Sequence, residues 1–167
     1  ALVNYVVRNV KKMVPTFSLP GAVRFNDALD KGASASPKPV AIGPDDVAVL
    51  QYTGGTTGVS KGAVLLHRNL VANVLQSDAW YQPALKRVPQ GVQVLTVCAL
   101  PLYHIFGFNT NMMLAMRTGG CNLLIANPRD IGSVLKDLAR QPFHNFPAVN
   151  TLFNAIANHP DFGTVDW

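Results

Sequence analysis

Glutamate is absent from this 167-residue chain; all nine acidic residues are aspartate. Any chemistry that needs a Glu ligand or a Glu base must therefore come from outside it. Charge of either sign is scarce too. Charged residues make up 14% against about 25% in an average soluble domain, so part of the surface is expected to be covered. Cysteine is limited to Cys98 and Cys121, each in an apolar stretch without CxxC or other ligand spacing. That pattern favours reduced core thiols in a cytoplasmic protein over a disulfide or a metal. No stretch reaches the ~18 uninterrupted apolar residues of a membrane-spanning helix. The first residues also lack the order of charge and apolar run that marks a signal peptide.

What is present suits a folded domain. Hydrophobic residues reach 49%, and the length fits one compact unit with a sizeable core, which excludes disorder and collagen-like repeats. The formal net charge is +5, yet beyond Arg8, Lys11 and Lys12 the cations form no run and have no aromatic interleaving. Nucleic acid is therefore not an expected partner. The sequence starts at Ala1 without a Met and stops at Trp167 after a helix-like segment, from which we expect a piece of a longer polypeptide.

Residues 1–46 read as a basic amphipathic helix and a linker. Val3, Val7, Val10 and Val14 recur at helical spacing, and Pro15 ends the helix. Residues 31–46 are rich in Gly, Ser, Ala and Pro and have no periodicity. From Val47 onward strand and helix alternate. Strands are expected at Val47–Thr53, 63–66, 92–100, 121–126 and 143–149. Helices are expected at 68–81, closed by Pro83, and at 106–116, 130–140 and 151–158. Leu70, Val71, Val74 and Leu75 supply the apolar face of the first of these. The alternation predicts an α/β fold, a mostly parallel sheet with helices on both faces.

The most informative stretch is Tyr52-Thr53-Gly54-Gly55-Thr56-Thr57-Gly58-Val59-Ser60-Lys61-Gly62. Its glycines permit close approach of backbone to ligand, and successive N–H groups can form an anion nest. Thr53, Thr56, Thr57 and Ser60 add hydroxyls, and Lys61 adds a point charge suited to phosphate. The spacing matches neither the Walker loop nor the dinucleotide fingerprint. The bland alternative is a ligand-free Gly/Thr hairpin, but the loop follows directly on an expected buried strand, the setting a phosphate loop requires.

Residues 52–70, YTGGTTGVSKGAVLLHRNL, resemble the signature phosphate loop of the adenylate-forming superfamily of acyl-CoA synthetases, luciferases and peptide-synthetase adenylation domains. ALPLYHIFGF, residues 99–108, resembles the downstream pocket motif, and NLLIANPRDI and AVNTLFNAI are similar to bacterial long-chain fatty acid:CoA ligases in particular. The resemblance implies that residues 47–167 are part of an AMP-binding α/β domain. It also implies a two-step reaction: a fatty carboxylate and ATP give acyl-adenylate, and coenzyme A then displaces AMP. Thr53, Gly54, Gly55, Thr56, Thr57, Gly58 and Lys61 would wrap the departing phosphates. His104 and Lys61 would be the catalytic pair, with His104 beside the acyl carboxylate. Tyr103, His104, Phe106, Phe108 and Asn150 would line the substrate pocket, with Thr151 and Asn154 in the same segment. Core packing remains the alternative for each aromatic, and a hydrogen-bonded core histidine for His104.

His67 and Arg68 read as structural. Relatives place Thr or Ser before that His as a helix cap, whereas here Leu66 stands there, a loss worth about 0.5–2 kcal/mol. The superfamily's Mg²⁺-holding Glu, its ribose-binding Asp and its C-terminal domain with a catalytic Lys have no counterpart in this chain. The chain alone is accordingly expected to be inactive and to contain no metal site. Two other readings stay open: a non-catalytic nucleotide-binding module, and an adenylating ligase for an aryl or other carboxylic acid. The basic first helix and a greasy substrate add peripheral contact with the membrane as an expectation.

Overall fold

The computed structural model describes residues 2–53 and 60–167. They form two compact units, residues 1–41 and 42–167.

In the first unit, α1 (Leu2–Tyr5) continues into a π turn, Val6–Val10. It stops well short of the expected residue 14, because Lys12 takes a left-handed φ of 48° that no helix can continue through. A helix missed in the sequence, α2 (Phe25–Ala33), has Asp27 in its first turn and Lys31 in its last, both favourable to the helix dipole. It consumes the first three residues of the expected linker. Neither helix buries a residue.

In the second unit, β1 (Val47–Thr53) pairs antiparallel with β2 (Lys61–Leu66), which starts two residues earlier than expected. Gly62 lies opposite Tyr52. Next comes α3 (His67–Leu85), with Leu70 and Val74 buried. Val71 and Leu75 are exposed, so the buried stripe is narrower than the expected apolar face. Pro83 does not close this helix, which runs two residues past it. The uncapped start is repaired in a way the sequence did not suggest. Asn69 Oδ1 accepts the Leu66 N–H at 2.9 Å. The N–H groups of His67 and Arg68 donate to the carbonyls of Asp46 and Pro44, at 3.1 and 2.9 Å. Four helix N–H groups ordinarily lack partners, and here backbone carbonyls take two of them. Arg68 also pairs with Asp45.

β3 (Leu95–Cys98) and β4 (Cys121–Leu124) are parallel neighbours. Between them run α4 (Ile105–Gly107), a π turn at Phe108–Met113, and α5 (Leu114–Thr118). Gly119 ends that run with φ 70°, the left-handed conformation that favours glycine. α6 (Ile131–Leu138) and α7 (Asn150–Ala157) follow. Strand alternation divides the parallel pair's surroundings. Val97 faces a core containing Val134, Leu135 and Leu138 of α6 and Leu152 and Ile156 of α7. Thr96 faces a small cavity bordered by Tyr81 and Leu85 of α3 and Leu114 and Ala115 of α5. Helices thus cover both faces.

The α/β class stands, with the antiparallel hairpin as a separate sheet. The strand expected at residues 143–149 does not form. Asn145 alone bridges Thr96 in parallel, with His144 N–H donating to Leu95 O and Val97 N–H donating to Asn145 O, both at 2.8 Å. Pro142 and Pro147 on either side have no N–H to extend that ladder. Cys98 is a core thiol as expected, and burial raises its pKa. Cys121, by contrast, is exposed.

Candidate functional site

Thr53 and Lys61 stand opposite each other at the loop end of the β1–β2 hairpin. The Thr53 hydroxyl donates to the Lys61 carbonyl oxygen at 3.3 Å. Both side chains are exposed, so the Lys61 side chain is open to a polyanion. Gly54, Gly55, Thr56, Thr57 and Gly58, expected to wrap the phosphates, lie outside the described residues. The structure therefore fixes the two ends of that loop.

His104 lies beyond the carboxyl end of β3, the edge at which open α/β sheets bind ligands. Its N–H donates to Pro101 O at 3.0 Å, closing a turn after the strand. As N-cap of α4, its Nδ1 accepts the Phe106 N–H at 3.2 Å. An Nδ1 lone pair engaged in this way leaves the proton of the neutral imidazole on Nε2. The side chain is exposed, so this histidine is a helix cap rather than a core residue, and its Nε2–H has no partner among the described residues. Gly107 is buried against the same turn; a Cβ there would fall 2.6 Å from Pro101 O. Only glycine lets the helix start this close to the strand's exit.

An open apolar groove of about 460 Å³ crosses the carboxyl ends of β3 and β4, lined on one side by Leu100, Pro101 and Arg129 and on the other by Val149, Thr151 and Leu152. It continues into a second hollow of about 620 Å³ that Tyr103 borders. Of the expected pocket residues, the structure brings Tyr103 to these walls. His104, Phe106, Phe108 and Asn150 are not among the groove-lining side chains, although Asn150 sits between Val149 and Thr151, which are. Asn154 binds within its own helix end instead, accepting from Asn158 Nδ2 at 3.2 Å.

Sequence reasoning missed an asparagine network behind His104. Asn111, fully buried in the π turn, donates from Nδ2 to Val97 O at 3.1 Å and to Asn122 Oδ1 at 3.3 Å. Asn122 Nδ2 donates back to Asn111 O at 3.1 Å. Asn109 donates to Asn73 Oδ1 at 2.8 Å. The Oδ1 atoms of Asn109 and Asn111 find no partner among the described residues, and each such buried orphan costs about 1–3 kcal/mol. The sequence offers only part of the signal: Asn109, Thr110 and Asn111 interrupt an apolar helical stretch, but nothing in it names their partners. His144, which carried no weight in the sequence, is a strand anchor whose Nδ1 accepts the Leu95 N–H at 3.0 Å. Among the described residues no group of three or more His, Cys, Asp or Glu side chains could hold a metal ion.

The hairpin that brackets the glycine-rich stretch, and a parallel pair whose carboxyl edge carries a histidine cap and an apolar groove, are the features that this α/β unit presents. The chain belongs to the AMP-binding enzyme family, whose model matches residues 7–166. It is 48% identical over 99% of its length to a long-chain-fatty-acid–CoA ligase of Escherichia coli O157:H7, and 43% identical to one of Haemophilus influenzae. It is 33% identical over 158 residues to 4-coumarate–CoA ligase 1 of Solanum tuberosum. The chain spans 29% of the length of the long-chain relatives. Among solved structures, ATP-bound MatB of Rhodopseudomonas palustris matches 80% of this chain and 25% of its own, with TM-score 0.63 and 28% identity. The anthranilate CoA ligase AuaEII shares the fold over 98% of this chain and 32% of its own, with TM-score 0.63 and 20% identity. No helix among the described residues is long and apolar enough to cross a membrane.

Proposed function

We propose that this chain is the phosphate-loop segment of a long-chain fatty acid:CoA ligase and is inactive without the rest of that polypeptide. The observation that carries the reading is 48% identity over 99% of the chain to such a ligase, joined to a loop whose residue chemistry independently calls for polyphosphate.

In the first step a fatty carboxylate oxygen bonds to the α-phosphorus of ATP, the bond to the bridging oxygen breaks, and pyrophosphate leaves. Such chemistry depends on positioning and on neutralising charge. Thr53 to Gly58 and Lys61 hold the leaving phosphates. His104 offers its Nε2–H to the carboxylate or adenylate. In the second step the coenzyme A sulfur bonds to the acyl carbon, its thiol proton is lost, and AMP leaves. Tyr103 borders the apolar groove that would take the acyl chain, whereas Phe106, Phe108 and Asn150 do not line it. The chain has no Glu, so any Glu carboxylate that holds Mg²⁺ comes from the rest of the polypeptide. Action is cytoplasmic, with peripheral membrane contact through the basic first helix; binding of the intact protein to anionic vesicles tests that contact.

The 33% identity to a 4-coumarate ligase favours, as a second reading, the same chemistry on an aryl acid. Thioester formation by the intact protein from equimolar palmitate and 4-coumarate decides between them. The fatty-acid reading predicts palmitoyl-CoA as the main product, and a dominant coumaroyl-CoA would overturn it.

A further inference from the structure

We propose that Asn111 is a positioning residue that sets where His104 stands. This rests on the ligase reading only for His104's role in the reaction. The helical run that His104 caps at one end holds Asn111 in the π turn of Phe108–Met113. From there a single wholly buried side chain reaches the carbonyl of Val97 in β3 and the side chain of Asn122 in β4, and Asn122 returns a bond to the Asn111 carbonyl. Three hydrogen bonds thus tie one turn of helix to both strands whose carboxyl ends form the groove.

The arrangement is not what packing alone would select. Leucine has the same branched skeleton of side-chain heavy atoms and no polar atoms, whereas Asn111 leaves its Oδ1 without a partner among the described residues. Buried polar groups of this kind can fix registry rather than add stability. π turns inserted in α-helices also concentrate at functional sites. At the other end of the run Gly107 is wedged against Pro101 O, and the Thr110 hydroxyl donates to Phe106 O at 2.7 Å. The run is therefore held at both ends and stiffened between them. A slide of the Asn111 turn along the strands would carry His104 with it.

The test uses the intact ligase with Asn111→Leu, and with Asn122→Ala as a second way to break the same bridge should the first fail to fold. Two measurements are made: palmitate-dependent ATP–pyrophosphate exchange, and amide hydrogen exchange at residues 104–108 against α6. The expected result is a fall in kcat of about tenfold or more with KM for ATP unchanged, together with faster amide exchange at 104–108 and unchanged protection of α6. Unchanged kcat with unchanged exchange at 104–108 would overturn the proposal. So would a loss of activity that merely tracks a lower unfolding temperature while 104–108 stays protected. If the unsubstituted enzyme shows no fatty-acid-dependent exchange, the ligase reading falls, and the amide exchange at 104–108 still decides the role of Asn111.

Discussion

Replacing Gly107 by alanine separates two opposed effects at the residue that seats the His104 turn. Gly107 is helical and buried, so helix propensity alone predicts that alanine stabilises by about 0.5–1 kcal/mol. The packing predicts the reverse. The new Cβ would fall 2.6 Å from Pro101 O and 3.1 Å from Leu100 Cβ. The nearest atom is backbone, so no rotamer change can relieve it. Restoring an ordinary C···O contact of about 3.3 Å or more requires roughly 0.7 Å of retreat. Overpacking of that kind costs about 1–3 kcal/mol, which exceeds the propensity gain over most of its range. With a net loss of about 1 kcal/mol the unfolding midpoint should fall by about 2–4 °C, the shift that each kcal/mol produces in a domain of this size. Gly132→Ala is the control: it is also helical, and the nearest atoms to its Cβ would be 3.8 and 4.0 Å away, so it should gain about 0.4–1 kcal/mol. Thermal unfolding of both variants reads the comparison. A midpoint for Gly107→Ala equal to or above that of Gly132→Ala would refute the close-approach argument.

Leu135, 1% exposed at the centre of the α6–α7 core, should cost about 2–5 kcal/mol on truncation to alanine by chemical denaturation. Asp130 caps α6 through the Ser133 backbone N–H and hydroxyl, which hold its carboxyl below the ordinary aspartate value of 3.8. Because the folded value is the lower one, its contribution is complete above 3.8 and is lost as pH falls through the folded value. Asp130→Ala should therefore be less stable than the parent at pH 7, with the gap closing in strong acid; a gap independent of pH would count against the cap. Lys61→Ala in the intact enzyme should weaken ATP binding by about tenfold to a hundredfold, the worth of one charged hydrogen bond, measured by titration calorimetry.

Much of the second unit was legible because local signals there agree with packing. β1 occupies Val47–Thr53 as read. α6 follows from Ile131, Val134, Leu135 and Leu138 at helical spacing behind an Asp cap, and its buried residues are three of those four. Readings failed where a local pattern lacked its long-range partner. The apolar run around Phe143 and Phe146 looks like a strand, yet the flanking prolines limit it to one bridge. α2 was hidden by the Gly, Ser and Pro that follow it, although Phe25, Ala28 and Leu29 carry its spacing. At the site, motif residues located the His104 turn and the hairpin ends. The asparagine bridge could not be foreseen, because pairing Asn111 with Asn122 needs the parallel register of β3 and β4.

The most direct test of the account is fatty-acid-dependent ATP–pyrophosphate exchange by the intact protein that carries this chain. Exchange should require a long-chain fatty acid and be largely lost in Lys61→Ala. Exchange that is absent with every carboxylic acid tried, or that is indifferent to Lys61, would contradict it.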